Sequence, residues 1–449
     1  MPIIAAMLLI LLLSACEDTS LSKPILVDTS LTFLSVEQTA DSAVPQHAVL
    51  FLDDGAVNRT YATADTSFVM HEADLSAVQD ALAALDLEND CLPPTGLTGS
   101  ALVTYRRGTA AETACETTAL DEVLAPLLWI PERTVAWPFK PQNKPHPVGH
   151  TTISFQDYSP LAGDEYFHPG VDIIMPENSI VYNILPGRVV RYDYYSLSGG
   201  SEENRMYFEV VVETQNGLTI QYHHIDPDSV SDAVKAAFES GEVLPVGAEI
   251  GFIVSWTVVE TGYSNELFHH THLNIFTRDL LPLNGLQLLL PHPDTTPPVI
   301  ASVTLVNGAV SALLDPAALT ADFHVVFEGY DMMDDNVWPL PPRRYTVTIT
   351  DAAGKTLLER KSYDYLAALS PVKEDFVCDY YLCGAAGMAS KGDYGPRTMF
   401  VNITAFDEAG SAASPIALKT LGTGKKTLTV TACDEYDNCA KKSVALTLP

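Results

Sequence analysis

Short apolar runs separated by Asp, Gly and Pro turns recur along the chain and predict β-strands over most of its length. In the last third these runs lie at Val299–Val306, Phe323–Phe327, Tyr345–Thr350, Met399–Ala405 and Thr427–Ala432. A helical spacing of apolar residues occurs early, at Leu75, Val78, Leu82 and Leu85. The pattern therefore predicts a mainly β, multidomain protein with a small α+β module at its N-terminus.

Two proline-rich segments, 139–149 and 291–298, divide the 449 residues. Proline cannot join a central strand and favours extended backbone, so both segments are predicted to be spacers. They separate three units of the size expected for domains, at 25–138, 150–290 and 299–449. Nothing in the first unit carries chemistry, so covering a groove, binding a partner and plain spacing stay open as its role. The last unit resembles the immunoglobulin-like β-sandwiches appended to exported bacterial proteins.

Histidines in the middle unit form two candidate metal motifs, His168-Pro169-Gly170-Val171-Asp172 and His270-Thr271-His272. Catalytic zinc sites take three protein ligands from His, Asp or Glu and leave a position for water. Side chains alternate along a strand, so His270 and His272 are predicted to share a face. The same rule places Tyr222 and His224 on one face of their strand, with His223 on the other.

In this order the motifs resemble those of the lysostaphin-type zinc endopeptidases that cut peptidoglycan peptides. The resemblance spans about Pro145 to Thr277 and rests on His168-x-x-x-Asp172, Tyr222-x-His224 and His270-x-His272-Leu273. It implies an antiparallel β-sheet zinc peptidase domain at 150–290, one zinc ion per chain and a peptidoglycan peptide substrate. The implied zinc ligands are His168, Asp172 and His272. The implied catalytic residues are His270, assigned as the base, and His224, assigned as the stabiliser of the oxyanion.

The chain departs from the family pattern around its last motif. Family members commonly have Gly-Pro before His-x-His and Phe-Glu after the Leu, where this chain has Phe268-His269 and Asn274. Two insertions, Tyr194–Asn204 and Asp228–Gly241, are expected to border the substrate groove. His223 and His269 are predicted to be exposed or packing residues, because each precedes a motif histidine and points to the opposite face.

The N-terminus and the cysteines predict export. The apolar run Ile3–Leu13 is too short to span a bilayer and ends in Leu13-Ser14-Ala15-Cys16, which resembles a lipoprotein signal. We therefore expect a signal peptide at 1–15, a lipidated Cys16 and a tether at 16–24. An oxidising compartment would permit three disulfides among the six other cysteines, and nearest neighbours suggest the pairs Cys91 with Cys115, Cys378 with Cys383, and Cys433 with Cys439. The expected location is the cell envelope, outer-membrane-anchored and facing the periplasm or the cell surface.

The net charge of −32 argues against nucleic acid as a partner, because phosphates must be neutralised by Lys and Arg. Peptidoglycan peptides and, through the lipid anchor, a membrane are the expected partners. The main alternative is a catalytically silent relative that binds peptidoglycan or activates another wall hydrolase. An adhesive or structural lipoprotein is a third possibility. The bond that is cut, self-remodelling versus attack on other cells, latency and oligomeric state stay open.

Overall fold

A computed structural model gives the fold of most of the chain. It describes residues 31–38, 47–51, 56–60, 65–70, 75–76, 78–79, 101–107, 113–117, 133–152, 154–156, 165–195, 201–202, 205–255, 269–277, 282–308, 312–362, 377–390, 399–407 and 411–449. Cys16, Cys91, the apolar run Ile3–Leu13 and most of the predicted early helix lie outside these residues. No helix in the described parts of the chain is both long and apolar enough to cross a membrane.

The N-terminal part is a six-stranded antiparallel sheet in the order β4-β3-β2-β1-β5-β6. Its strands are β1 Leu31–Gln38, β2 His47–Phe51, β3 Ala56–Thr60, β4 Asp65–Val69, β5 Ala101–Arg107 and β6 Thr113–Thr117. Residues 75–76 and 78–79 are helical, and Val78 is buried. The small α+β module at 25–138 stays a prediction.

The central part is built on a second six-stranded antiparallel sheet in the order β14-β11-β12-β13-β16-β9. Two short pairs, β7 with β8 and β10 with β15, accompany it. The strands are β7 Phe155–Gln156, β8 Tyr166–Phe167, β9 Val171–Ile174, β10 Ile180–Tyr182, β11 Gly187–Tyr194, β12 Phe208–Thr214, β13 Leu218–His223, β14 Val243–Leu244, β15 Glu249–Phe252 and β16 His270–Thr277.

One face of this sheet is apolar and one is polar, as strand alternation requires. In β16, Leu273 and Ile275 are fully buried in the core, whereas the alternate positions His270, His272 and Asn274 carry polar side chains. Helix α1, Asp232–Ser240, is capped by the Ser231 hydroxyl and ends at Gly241, whose φ of 71° suits a residue without Cβ. Helix α2 spans Gly285–Leu288, and short 3-10 helices lie at Arg205–Tyr207 and Pro227–Ser229.

The C-terminal part consists of two antiparallel sheets, β17-β18-β21 and β20-β19-β22-β23. Their strands are β17 Val299–Asn307, β18 Phe323–Tyr330, β19 Arg344–Asp351, β20 Thr356–Lys361, β21 Met399–Asn402, β22 Gly424–Cys433 and β23 Cys439–Leu448. Helix α3 spans Val377–Tyr380, and 3-10 helices lie at Pro316–Ala318, Ala385–Gly387 and Leu418–Thr420. Apolar side chains of both sheets share one core, the arrangement of a sandwich.

Two of the three predicted disulfides form, Cys378–Cys383 and Cys433–Cys439. The second joins the ends of the β22–β23 hairpin, where the two cysteines are register partners. The pairing of Cys91 with Cys115 stays a prediction, because Cys91 lies outside the described residues.

The first proline-rich segment, 139–149, is packed against the central sheet, in contrast to the extended spacer that its composition predicts. Trp137, Phe139 and Val148 are buried in the central core, and the Trp137 indole donates to the Leu290 carbonyl at 2.8 Å. Phe155 and Phe167 are buried in the core of the C-terminal sheets. The apolar side chains of Phe139 and Val148 inside this segment explain the difference, since burying them outweighs the stiffness of proline. The domain boundaries themselves stay predictions.

Candidate metal centre

The three predicted ligand residues lie on neighbouring strands of the central sheet. His168 precedes β9, Asp172 lies within it, and His272 lies directly opposite Asp172 on the adjacent strand β16. One ligand atom from each residue lies within 4.8 Å of those of the other two. The structure thus brings together residues that are 100 positions apart in the chain.

Both imidazoles converge on the same carboxylate oxygen. His168 Nε2 and His272 Nδ1 each lie 2.9 Å from Asp172 Oδ1. Zinc holds nitrogen and oxygen ligands at about 2.0–2.2 Å, so tetrahedral neighbours lie roughly 3.3 Å apart. The observed separations are within a few tenths of an ångström of that value.

The far nitrogens of the two rings are already engaged. His168 Nδ1 lies 3.1 Å from the Thr151 carbonyl, and His272 Nε2 lies 2.8 Å from Asn274 Oδ1. The Asn274 amide is oriented by its NH₂ group, which donates to Gln221 Oε1 at 3.0 Å. A neutral ring whose N–H donates to an oxygen must present a lone pair from its other nitrogen. Two lone pairs therefore face one carboxylate oxygen, which is an arrangement that a cation satisfies.

Asp172 is held as a carboxylate in spite of complete burial. Burial alone raises the pKa of its carboxyl, but charge interactions with His168 and His270 and polar contacts with His150 and His168 lower that pKa well below its usual range. Burial and the neighbouring His168 lower the pKa of His272, which favours the neutral, metal-binding form of its ring. One carboxylate and two imidazoles thus fit zinc.

His224 and His270 lie beside the ligand set. His270 Nε2 is 3.5 Å from Asp172 Oδ1, and the rings of His224 and His270 are 4.8 Å apart. The sequence places Tyr222 and His224 on one strand face, but this is wrong. The Tyr222 hydroxyl donates to Asn183 in the core, whereas His224, just past the end of β13, has a φ of 61° that breaks the alternation.

Hydrogen bonding fixes the tautomer of His224. Its Nδ1 lies 2.6 Å from the Met206 carbonyl, so Nδ1 carries the proton and Nε2 is the basic nitrogen. Burial and the neighbouring His270 and His272 lower the pKa of His224 well below its usual range, despite the contact with Met206. The ring is therefore neutral.

His223 and His269 are both buried, which agrees with packing and not with exposure. His223 contacts Glu209 Oε2 at 3.1 Å and Gln221 Oε1 at 3.1 Å, and its ring lies 5.0 Å from that of His272. Burial raises the pKa of Glu209 to about 7, although its ion pair with Arg191 acts in the opposite direction. His223 thus belongs to a polar network that supports the ligand His272.

Sequence reasoning missed three groups that support the site. His150 Nδ1 lies 2.8 Å from Asp172 Oδ2, the second oxygen of the ligand carboxylate, and no spacing rule points to it. Met206 follows the insertion Tyr194–Asn204, and no sequence pattern indicates that its backbone carbonyl contacts His224. Asn274 had a signal: it follows His270 and His272 at the same two-residue interval and so lies on their face of β16. Its departure from the family pattern supplies the partner of His272.

A second potential ligand group, Glu165 with Cys378 and Cys383, does not fit a metal. The two sulfurs are joined in a disulfide, and only a thiolate is a ligand. This agrees with the disulfide interpretation of the C-terminal cysteines.

No family model and no curated protein matches the chain. Solved structures do match it. One is a zinc-containing peptidase from Vibrio cholerae, at 11% identity, covering 57% of this chain and 86% of that one, with a TM-score of 0.28. Lysostaphin matches at 11% identity, covering 64% and 98%, with a TM-score of 0.25. A putative M23 peptidase from Pseudomonas aeruginosa matches at 15% identity, covering 42% and 72%, with a TM-score of 0.21.

At these TM-scores the likeness adds no argument about chemistry, so the functional argument rests on the geometry of the metal centre. The solved structures similar to this chain include M23 and lysostaphin-type peptidases, at low identity and with partial coverage.

Proposed function

We propose that the chain is an exported zinc-dependent endopeptidase that hydrolyses peptide bonds of peptidoglycan stem or cross-link peptides. The observation that carries the proposal is the convergence of His168 Nε2 and His272 Nδ1 on one oxygen of Asp172, with the remote ring nitrogens engaged by Thr151 and Asn274. Export and the lipid anchor at Cys16 are proposed from the sequence motif, and the wall substrate from the family resemblance.

Two further imidazoles supply the proton chemistry that peptide hydrolysis needs. Zinc, when bound, polarises the scissile carbonyl and lowers the pKa of a coordinated water to about 7. His224 and His270 lie next to the ligand set, where one ring can accept a proton from the attacking water and the other can stabilise the developing oxyanion.

The hydrogen bond of His224 helps to decide which of the two rings, His224 or His270, is the base and which stabilises the oxyanion. With Nδ1–H directed at the Met206 carbonyl, Nε2 of the neutral ring accepts a proton and does not donate one. This favours His224 as the base and His270 as the stabiliser, the reverse of the roles assigned in the sequence analysis. Both residues stay in the catalytic set.

The test is zinc analysis and digestion of purified peptidoglycan by the mature chain without its lipid. We expect one zinc per chain, release of new amino groups, and loss of that release with a chelator. His272→Ala should lose both zinc and activity, whereas His270→Ala should retain zinc and lose activity. His269→Ala is the matched control, because the neighbouring buried imidazole lies outside the ligand set and should retain both.

A silent wall-binding relative makes different predictions. It would bind peptidoglycan without releasing amino groups, and His270→Ala would change nothing. One zinc per chain with no release from any wall chemotype would overturn the peptidase proposal and leave the metal site in place. Chelator-sensitive cleavage of a non-wall protein alone would overturn the substrate assignment.

A further inference from the structure

Three buried aspartates meet where the central and C-terminal sheets adjoin. Asp294 lies in the second proline-rich segment, Asp331 directly follows β18, and Asp434 directly follows β22. One carboxylate oxygen of each lies within 4.8 Å of those of the other two. The relative exposures are 8%, 2% and 1%, so the cluster is sealed from bulk water.

Each of these carboxylates has one oxygen without a hydrogen-bond donor among the described residues. The atoms are Asp294 Oδ2, Asp331 Oδ1 and Asp434 Oδ2. Elsewhere the same side chains are well anchored: Asp434 Oδ1 accepts from the backbone N–H groups of Tyr436 and Asn438 at 2.7 and 2.9 Å. Asp294 Oδ1 accepts from the Asp334 N–H at 2.9 Å. A buried carboxylate oxygen without a partner costs several kcal/mol of desolvation, and a cation bound among the three oxygens would offset that cost.

Arg343 and Arg344 both form ion pairs with Asp437, in the turn that follows Asp434. Three carboxylates with oxygens this close repel one another when they are ionised.

We propose that Asp294, Asp331 and Asp434 bind a Ca²⁺ ion at this junction, a site separate from the histidine centre. Calcium takes six to eight oxygens at about 2.3–2.6 Å, so oxygens on one ion lie up to roughly 5 Å apart, as they do here. The ligands are carboxylates alone, without His or Cys, and such sets suit hard cations over zinc.

The ion would tie together three segments that are remote in sequence. Asp294 belongs to the connection from the central sheet, whereas Asp331 and Asp434 end strands of the two different C-terminal sheets. The Asn438 side chain already donates to the Asp294 carbonyl at 3.1 Å, so the hairpin and the connection are in contact without the ion. Calcium binding would therefore fix the C-terminal sheets against the peptidase unit.

The test is calcium binding by the whole chain in detergent, after passage over chelating resin and return of one equivalent of zinc. Calorimetric titration should show one Ca²⁺ per chain with a Kd at or below about 1 mM. Saturating Ca²⁺ should raise the Tm by about 3 °C or more, because it binds the folded state alone. Holding zinc constant keeps the response independent of the histidine centre.

Asp331→Asn is the informative variant. It should abolish the calcium-dependent rise in Tm while leaving the calcium-free protein at least as stable, since one of three repelling charges is gone. Asp335→Asn is the matched control: it removes an exposed charge from the same loop, and asparagine tolerates the φ of 62° there.

Three results would overturn the proposal. They are no calcium binding by the unmodified chain at millimolar concentration, an unchanged response in both Asp331→Asn and Asp434→Asn, or an equal loss in Asp335→Asn. An equal rise in Tm with Mg²⁺ would overturn the assignment to calcium.

Discussion

Gly170 is the point at which a single methyl group should disturb the metal centre. It lies between His168 and Asp172, and a Cβ built on it would lie 2.5 Å from the Leu273 carbonyl oxygen and 2.4 Å from Asn274 Oδ1. The backbone oxygen cannot swing away as a side chain can. Ordinary contact begins at 3.4 Å, so Gly170→Ala requires β9 and β16 to separate locally by roughly 0.9 Å.

A shift of that size exceeds what zinc coordination tolerates. Ligand distances hold to about 0.2 Å, and Asp172 and His272 lie on the two strands that must separate. Overpacking costs about 1–3 kcal/mol of stability, which leaves the chain folded. We therefore expect Gly170→Ala to bind zinc at least about tenfold more weakly, with a modest fall in Tm.

Zinc affinity is measured by competition with a chromophoric chelator, and stability by thermal unfolding. Gly354→Ala is the control, because its Cβ would meet open space at a φ of 82°, remote from the sheet that carries the ligands. Left-handed strain costs about 1–2 kcal/mol, so the two variants lose comparable stability and only Gly170→Ala should lose zinc. Unchanged zinc affinity in Gly170→Ala would refute the placement of Gly170 against β16.

Two further predictions concern groups that support the ligands. His150→Ala removes the donor to Asp172 Oδ2 and should weaken zinc binding by about 10- to 100-fold; wild-type affinity would show that this contact is dispensable. Burial raises the folded pKa of Glu209 from 4.5 to about 7, so the folded state retains a proton between these values. Its contribution to stability is present below pH 4.5 and falls as pH rises through 7, by at most about 3 kcal/mol. Glu209→Gln should flatten this decline in unfolding measured from pH 5 to 8, and an unaltered slope would contradict the prediction.

The ligand set could be predicted from local rules of strand geometry and from the family motifs alone. Alternation placed His270 and His272 on one face of β16, and the structure adds that His272 pairs directly with Asp172. The same rule failed for Tyr222 and His224, because the strand ends between them and the left-handed backbone of His224 reverses its direction. Strand rules hold only while the strand continues.

Contacts between distant segments could not be predicted from the sequence. His150 joins Asp172 because Val148 pairs with Ile173, and that pairing follows from the whole sheet and not from any local period. The cluster of Asp294, Asp331 and Asp434 likewise forms only after the hairpin and the connection fold together. The first proline-rich segment shows the converse: its composition predicts a spacer, whereas its apolar side chains Phe139 and Val148 are buried in the central core.

The packing between the central sheet and the residues on either side of it limits how such a protein can evolve. Residues 150–290 alone would leave behind Trp137 and Phe139, which fill their core, and would uncover Phe155 and Phe167, which pack in the C-terminal core. Such a fragment could not be moved between proteins as an independent cassette. The central sheet must be inherited with Trp137 and Phe139 and with the C-terminal sheets, so changes in one part would have to be matched by compensating changes in the others.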